Sequence, residues 1–479
     1  MIQELLEKLD KAIKRIDELE QKLAVTEEKL AKTEEELFLT REKLAKTEEK
    51  LKIAEEKLNQ NSFNSHLPPS KDSRKVIKQA LPKSNKKNGG QTGHKGNTLK
   101  MVSEPDYIVK LKPELNVCSC GKNLSEFEET ISGKRQVFDL PIQKFDVTEY
   151  QTIQIKCSCG SCHVGNFPKN VQAPVQFGAG VQAASILLST IGTPLNKIGF
   201  IFESLFGQKI NDATILKMLK NKSLEAEYNN IYNQLSKESV LCVDESGFHV
   251  TQERTWCHTI SSPNLTYLYA SKKRGHQAFD EAPMLKDYQN WLVSDCYSSY
   301  NHLTKSRRVL CNAHICRELM GVIENDKREW AKEMLNLLYN AYNQTNKATE
   351  LHPDYAALEE KFTKIIKMAD EEEPKIIKTG KKGKHARTKG RNLLERLQKL
   401  KDSVLAFAKF IEVPFTNNLA ERDFRPLKVK NKIAGYLKTP ESLKTFLVNL
   451  SIFKTAVKSK LNPFCHIKNI ICKPSVILT

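Results

Sequence analysis

Apolar side chains recur every seven residues at Leu9, Ile16, Leu23, Leu30, Leu37, Leu44, Leu51 and Leu58. That spacing predicts a coiled coil over residues 1–58. The second seam position reads Ala12, Leu19, Thr26, Thr33, Thr40, Thr47, Ala54, so one side of the stripe is weakly apolar. A single exposed helix laced by Glu–Lys pairs is the alternative reading. Periodicity stops at Asn59, and residues 59–110 form a basic, Gly- and Pro-containing linker that buries little. Residues 111–170 carry strand-like stretches at 136–140 and 148–156. Residues 171–236 read as helices, with apolar runs at 181–188 and 198–206 broken by Gly192-Thr193-Pro194 and Gly207, then a cap at Asn211. Such helices permit a helix-turn-helix DNA reader and equally a brace for the next domain.

At Ser239 the period shortens to that of strands. Val240-Leu241-Cys242-Val243 is a buried-strand run closing on Asp244-Glu245. Residues 254–261 and 265–270 read as two further strands, and Trp291-Leu292-Val293-Ser294 closes on Asp295. Val309-Leu310 reads as a third parallel strand stub. Helical periodicity returns at 324–342 and 355–368, followed by a basic run within 378–399.

Charge narrows the partner. The 479 residues hold 76 Lys and Arg against 57 Asp and Glu, a net +19, while residues 1–58 are net negative with 13 basic and 16 acidic side chains. The positive field therefore lies outside the coil and favours a polyanion, nucleic acid above an acidic small molecule. Residues 71–100 have nine Lys or Arg, Lys95 among them, against the single Asp72. No apolar stretch approaches the roughly 18 residues a membrane span needs, and the chain opens on an acidic periodic helix, so a cytoplasmic, nucleoid-associated protein is expected.

Twelve Cys are too sparse for a disulfide scaffold, but Cys118-x-Cys120 and Cys157-x-Cys159-Gly-x-Cys162 are close pairs on turns. Two such turns at opposite ends of a small sheet can converge on a structural Zn²⁺, with Cys118, Cys120, Cys157 and Cys159 as ligands and Cys162 competing for the fourth place. Idle reduced thiols are the plain alternative.

The acids at strand ends carry the chemistry. Asp244 and Asp295 each end a strand, which places two carboxylates on one sheet edge, where they can share a hard cation. Glu421 follows Asn417-Asn418, either of which can cap a helix, and it has Arg422 and Arg425 beside it. Lys428, Lys430 and Lys432 continue a basic track suited to a phosphate chain. Taken singly, each acid is equally a turn residue, a cap or a salt-bridge partner. Strand alternation turns Glu245 away from Asp244, which makes Asp244 the preferred ligand.

These pieces resemble the IS66-type insertion sequence transposases: VDESG (243–247), VSDCYSSY (293–300), CNAHICREL (311–319) and NNLAERDFRPLKVKNKIAG (417–435) occur in that order. Upstream, GGQTGHKGNTL (89–99), the paired cysteines and the leading coil match the same layout. Many members have Asp-Glu-Thr where this chain has Asp244-Glu245-Ser246, a change that keeps the hydroxyl. The resemblance implies a ribonuclease H-like α/β core whose acidic triad is Asp244, Asp295 and Glu421. It implies two Mg²⁺ (or Mn²⁺) at the triad, cleavage of transposon ends and strand transfer into target double-stranded DNA. A homodimer or higher oligomer and accessory proteins of the element are the partners it suggests. The separations of 51 and 126 residues between the acids place a helical insertion between the second and third. The expected architecture is thus multidomain α+β: coiled coil 1–58, linker 59–110, zinc-binding β module 111–170, helical and possibly DNA-binding region 171–236, core 237–310, helical insertion 311–410, and core completion 411–479. Cys311 and His314 match the family's Cys-x-x-His; they could bond to the carboxylates, bind an ion with Cys316, or only pack a helix.

Overall fold

A computed structural model describes residues 2–61, 64–65, 99–111, 114, 116–126, 128, 130–140, 144–159, 161–251, 253–347, 354–374 and 387–472. Most of the basic linker, Lys95 included, and much of the basic run after 374 lie outside the described residues. The chain divides into two units, 1–82 with 309–416 and 83–308 with 417–479.

The first unit is helical. Helix α1 (Ile2–Asn59) realises the heptad stretch as one continuous helix whose seam leucines stay exposed, Leu23 at 58% and Leu30 at 60%. Glu28–Lys32 and Glu42–Lys46 pairs at four-residue spacing lace its surface.

In the second unit a small antiparallel pair, β1 (Gln154–Lys156) and β2 (Cys162–Val164), stands where the cysteine module was expected. The expected strand at 136–140 is absent: Gln136 instead closes a two-way side-chain bond with the backbone of Val102. Four helices follow, α2 (Ala179–Thr190), α3 (Leu195–Phe206), α4 (Asp212–Leu219) and α5 (Lys222–Leu235). Gly207 ends α3 at φ 69°, a left-handed position that glycine takes without a Cβ penalty. Asn211 caps α4 by accepting from Thr214 N at 2.8 Å.

The sheet follows: β3 (Val240–Val250), β4 (Glu253–Ser261), β5 (Thr266–Ser271), a short α6 (Met284–Asp287), β6 (Trp291–Ser294) and β7 (Arg307–Leu310). Strand order is β5-β4-β3-β6-β7, with β3 antiparallel to β4, β4 antiparallel to β5, and β3 parallel to β6. The division between the units falls within β7.

Alternation along β3 sorts the sheet's two faces. Leu241 and Val243 enter one core with Ile186, Phe202, Ile215, Ile231 and Leu235 of α2–α5. Phe248 and Val250 enter another with Leu268, Phe424, Leu427 and Leu447. Helices α2–α5 therefore share a core with the sheet, the arrangement a brace requires, and Tyr228 Oη of α5 donates to Leu268 O of β5 at 2.8 Å. Burial of this many aliphatic side chains, at roughly 25 cal/mol per Å² of apolar surface, fixes the sheet between its two helical layers.

The first unit's remaining helices are α7 (Asn312–Asp326), α8 (Glu329–Lys347), α9 (Tyr355–Glu372), α10 (Lys389–Lys399) and α11 (Lys401–Lys409). The helical stretch expected at 324–342 is two helices, because Lys327 turns left-handed at φ 52° and ends α7. Glu373 is the hub of this bundle: it accepts from Trp330 Nε1 at 3.0 Å and Thr388 Oγ1 at 2.9 Å. The end of α1 docks here, with Asn64 bonded to Glu324 and its backbone so close to Gly321 that a Cβ there would stand 2.5 Å from Asn64 O.

The second unit closes with α12 (Asn418–Asp423), α13 (Arg425–Ala434), α14 (Pro440–Lys458) and α15 (Pro463–Cys472). The whole is mixed α+β with a mixed five-stranded sheet. Among the described residues no helix is long and apolar enough to cross a membrane.

Candidate active site

The parallel ladder between β3 and β6 runs Val240↔Trp291, Leu241↔Leu292, Cys242↔Val293. Its offset is the same 51 residues that separate Asp244 from Asp295. The same register, extended two places beyond the last pair, aligns Asp295, which follows directly on the end of β6, with Asp244 on one sheet face. Asp244 shares that face with Phe248 and Val250, and α12 lies on β3 and β4 over the same side. Glu421 rides on α12.

The electrostatics register the meeting. Burial, followed by the charges of Glu245, Asp295 and Glu421, pushes the Asp244 carboxyl well above the usual carboxylate range, against a smaller opposing bond from Glu245 N. Burial of an anion beside other anions is costly unless a cation compensates it.

Each acid is held from behind. Asp295 Oδ1 accepts from Tyr297 N at 2.9 Å, and Arg308 gathers the same loop by donating to Asp295 O at 2.9 Å, Tyr297 O at 3.1 Å and Ser294 Oγ at 3.2 Å. Asn417 stands at the N-cap of α12 but does not cap it with its side chain, contrary to the expectation from sequence. Its Nδ2 donates instead to Val243 O at 2.7 Å, on β3. At the other end of α12, buried Asp423 accepts from Ser261 Oγ at 2.6 Å, Thr266 Oγ1 at 2.8 Å and Lys458 Nζ at 2.7 Å.

Glu245 occupies the opposite face, with Leu241 and Val243. Its carboxylate accepts from Tyr300 Oη at 2.6 Å and from Arg274 Nε and Nη2 at 3.2 and 3.0 Å. Burial and then Asp295 raise its pKa, while Tyr300 and Arg274 oppose the rise.

Of the expected phosphate-facing cations, Arg422, Arg425, Lys428 and Lys432 are not buried. Lys430 is: it is 8% exposed and lies over the Phe446 ring, and burial lowers its pKa. The helical period explains this, since Lys430 follows Leu427 by three and shares its inward side. Cys118 and Cys120 sit in one turn, closed by Cys118 N to Lys122 O at 2.9 Å, and Cys157 and Cys159 in another, closed by Cys157 N to Ser161 O at 2.8 Å. Ser161, then Cys157, holds the exposed Cys159 thiol down to about 7. Among the described residues the two cysteine turns do not bring three ligand atoms together.

Sequence reading missed Asp423, Arg308 and the Glu245–Tyr300–Arg274 network. Asp423, Glu245 and Tyr300 lie within the motifs given above, but only Asp423 carried a local signal, an acid between two arginines, and there it resembled a surface salt bridge.

A family model for a family of unknown function, DUF6444, matches residues 24–100. No curated protein matches the chain. The model of the transposase IS66 family matches residues 175–445, more than half of the chain and every element that carries the three acids. This chain belongs to the IS66 transposase family.

Proposed function

We propose that the protein is a transposase that cuts transposon ends and joins them to target DNA at Asp244, Asp295 and Glu421. The observation that supports the reading is the register: the β3–β6 offset equals the spacing of Asp244 and Asp295, α12 with Glu421 packs on β3, and the charges of both other acids bear on Asp244. The order β5-β4-β3-β6-β7, with three antiparallel strands followed by a parallel one, supports a ribonuclease H-like core.

The donor set fits a hard divalent cation. All three groups offer oxygen, and the Asp244 carboxyl, raised by burial and then by the charges of Glu245, Asp295 and Glu421, is eased by a divalent cation bound among them. Asp244, Asp295 and Glu421 would hold two Mg²⁺, with Mn²⁺ as a substitute; when bound, such ions acidify an attacking hydroxyl and neutralise a leaving oxygen. The chain's own part is to fix the three carboxylates through Asn417, Asp423 and Arg308 before DNA arrives. Water attacks the end phosphate to free a 3′-hydroxyl, which attacks a target phosphate in line. Arg422, Arg425, Lys428 and Lys432 supply accessible cations for the backbone, with Lys95 as a further contact. Helix α1 pairs copies so that two ends are handled together, and the two cysteine turns take a structural Zn²⁺.

The test is a Mg²⁺-dependent cleavage and joining assay on labelled element ends. Wild type should yield both cut and joined products. D244N, D295N and E421Q should lose both while still binding DNA. Cleavage that survives these substitutions would remove the assignment, and cleavage without joined products would reduce the protein to a nuclease.

A further inference from the structure

On the face of β3 that carries Glu245, opposite to Asp244, lies a group of cations and rings to which the catalytic chemistry gives no role. The β3–β4 register pairs Gly247 with Trp256 and His249 with Arg254, so Gly247, Arg254 and Trp256 share this face with Glu245. The Arg254 guanidinium lies 4.3 Å from the Trp256 ring centroid. Arg274 lies 4.8 Å from the same ring and 4.3 Å from the ring of Tyr297, two residues after Asp295. Both arginines are exposed, while the Glu245 side chain that anchors Arg274 is 2% exposed.

This arrangement selects a ligand. A guanidinium held over an aromatic ring keeps planar N–H donors that can meet two oxygens of a phosphate. The Trp256 ring already carries two guanidiniums, so edges for oxygen, not an open ring for a base, are what the surface offers. Arg274 has Nε and Nη2 committed to Glu245, which fixes its orientation and leaves Nη1 outside that ion pair on an exposed side chain. Two cations outweigh the single anion beneath them. Gly247 makes room: a Cβ there would stand 2.9 Å from Arg254 Nε and 3.0 Å from its Nη2.

We propose that Arg254 and Arg274, seated over the rings of Trp256 and Tyr297, clamp a backbone phosphate of the DNA strand that runs to Asp244 and Asp295. The clamp rests on the reading of the protein as a DNA transposase. Glu245 is a positioning residue within it, acting on DNA only through Arg274.

Binding of a labelled duplex bearing the element's end sequence, followed by fluorescence anisotropy in EDTA over a range of salt, tests the clamp on the full chain. R274Q and R254Q should each weaken binding roughly tenfold at low salt and flatten the slope of log K against log salt by about 0.9 for each phosphate no longer neutralised. R254Q keeps the Glu245–Arg274 ion pair, so it reports even if R274Q unfolds. G247A displaces the exposed end of Arg254 without removing charge and should weaken binding while the slope stays nearer to wild type. Unchanged affinity and slope in R254Q and in folded R274Q would overturn the clamp. A metal-dependent cleavage and joining assay on the same wild-type preparation separates the two readings. Products from wild type with unaffected binding in R254Q leave the transposase reading standing and the clamp refuted; no products from wild type refutes the former alone.

Discussion

Asn417 Nδ2 donates to the main-chain oxygen of Val243 at 2.7 Å, so the start of the helix that carries Glu421 is tied to the strand position immediately before Asp244. Both residues are buried, and the bond spans 174 positions of sequence. Asn417→Leu removes the donor and leaves a strand carbonyl unsatisfied, a cost of about 1–3 kcal/mol. The expected result is a cleavage rate at least roughly tenfold lower with DNA affinity within about twofold of wild type, because the third acid is displaced while the accessible arginines are not. Equal losses in binding and cleavage would point to general unfolding instead.

Asp423 secures the other end of that short helix through Ser261, Thr266 and Lys458. Breaking a buried ion pair from one side costs roughly 3–5 kcal/mol, because the remaining charge stays buried. Asp423→Ala should therefore lower the melting temperature sharply. Adding Lys458→Met to that variant should recover part of the loss, since the uncompensated cation is gone. A double variant no more stable than the single one would show that Asp423 acts through its hydroxyl partners alone.

Asp244 makes a prediction about pH and metal together. Its folded-state pKa is raised by burial and by Glu245, Asp295 and Glu421. The native chain therefore holds that proton more tightly than the unfolded chain. The stability this contributes is fully present below the unfolded value of about 3.9 and is lost as pH rises through the folded pKa. Metal-free protein should melt lower near neutrality than in mild acid on this account, and Mg²⁺ should restore stability more strongly as pH rises. D244N removes one repelling charge, so without metal it should melt about 2–4 °C higher than wild type near neutral pH and gain less from Mg²⁺. A D244N protein less stable than wild type in EDTA would contradict the electrostatic account.

The periodic parts of this fold were legible because their cause is local. Seven-residue spacing from Leu9 to Leu58 needs only its own stretch of chain to make α1, and the apolar runs before Asp244 and Asp295 announce strands, although only β6 ends at its acid: β3 runs on through Asp244 to Val250, where it pairs with β4. Even the pairing of those strands was latent in the 51-residue offset, although nothing in one sequence says which strands are neighbours. What could not be read were partnerships made by loops and by the inward side of short helices. Arg274 reaches Glu245 across 29 positions and Tyr300 reaches it across 55. Lys430 sits in a basic run that looks solvated throughout until α13 turns that side chain onto Phe446. The strand expected at 136–140 does not form: its short apolar content lacks a clean alternation, and Gln136 bonds its side chain to the backbone of Val102 while the stretch joins no ladder.

The paired cysteine turns give a compositional prediction. Each turn is closed by its own backbone bonds, so the pairs are preshaped without an ion, and the Cys159 thiol held down to about 7 is partly thiolate near neutrality. If the two turns take one Zn²⁺, protein purified without chelator should carry one zinc per chain, and C118S and C157S should each lower that content and the stability of residues 111–170 to proteolysis. Full zinc retention in both variants would leave the thiols without a structural role.

The exposed seam of α1 leads to the last expectation. Leu23, Leu30 and Leu37 are at least half exposed on a helix of 58 residues, and the next seam position is filled by Thr26, Thr33 and Thr40. Pairing with a second copy would bury the leucines, each contributing up to about 1.5–3 kcal/mol when fully covered, whereas the threonines add little; the association should therefore be concentration-dependent. Leu30→Glu with Leu37→Glu places like charges in the seam and should convert a dimer to a monomer in analytical ultracentrifugation. The monomer should still nick single ends, because the three acids come from one chain, but coupled joining of two ends should fall. Wild type that sediments as a monomer at every concentration would mean that the Glu28–Lys32 and Glu42–Lys46 pairs hold α1 as a solitary helix.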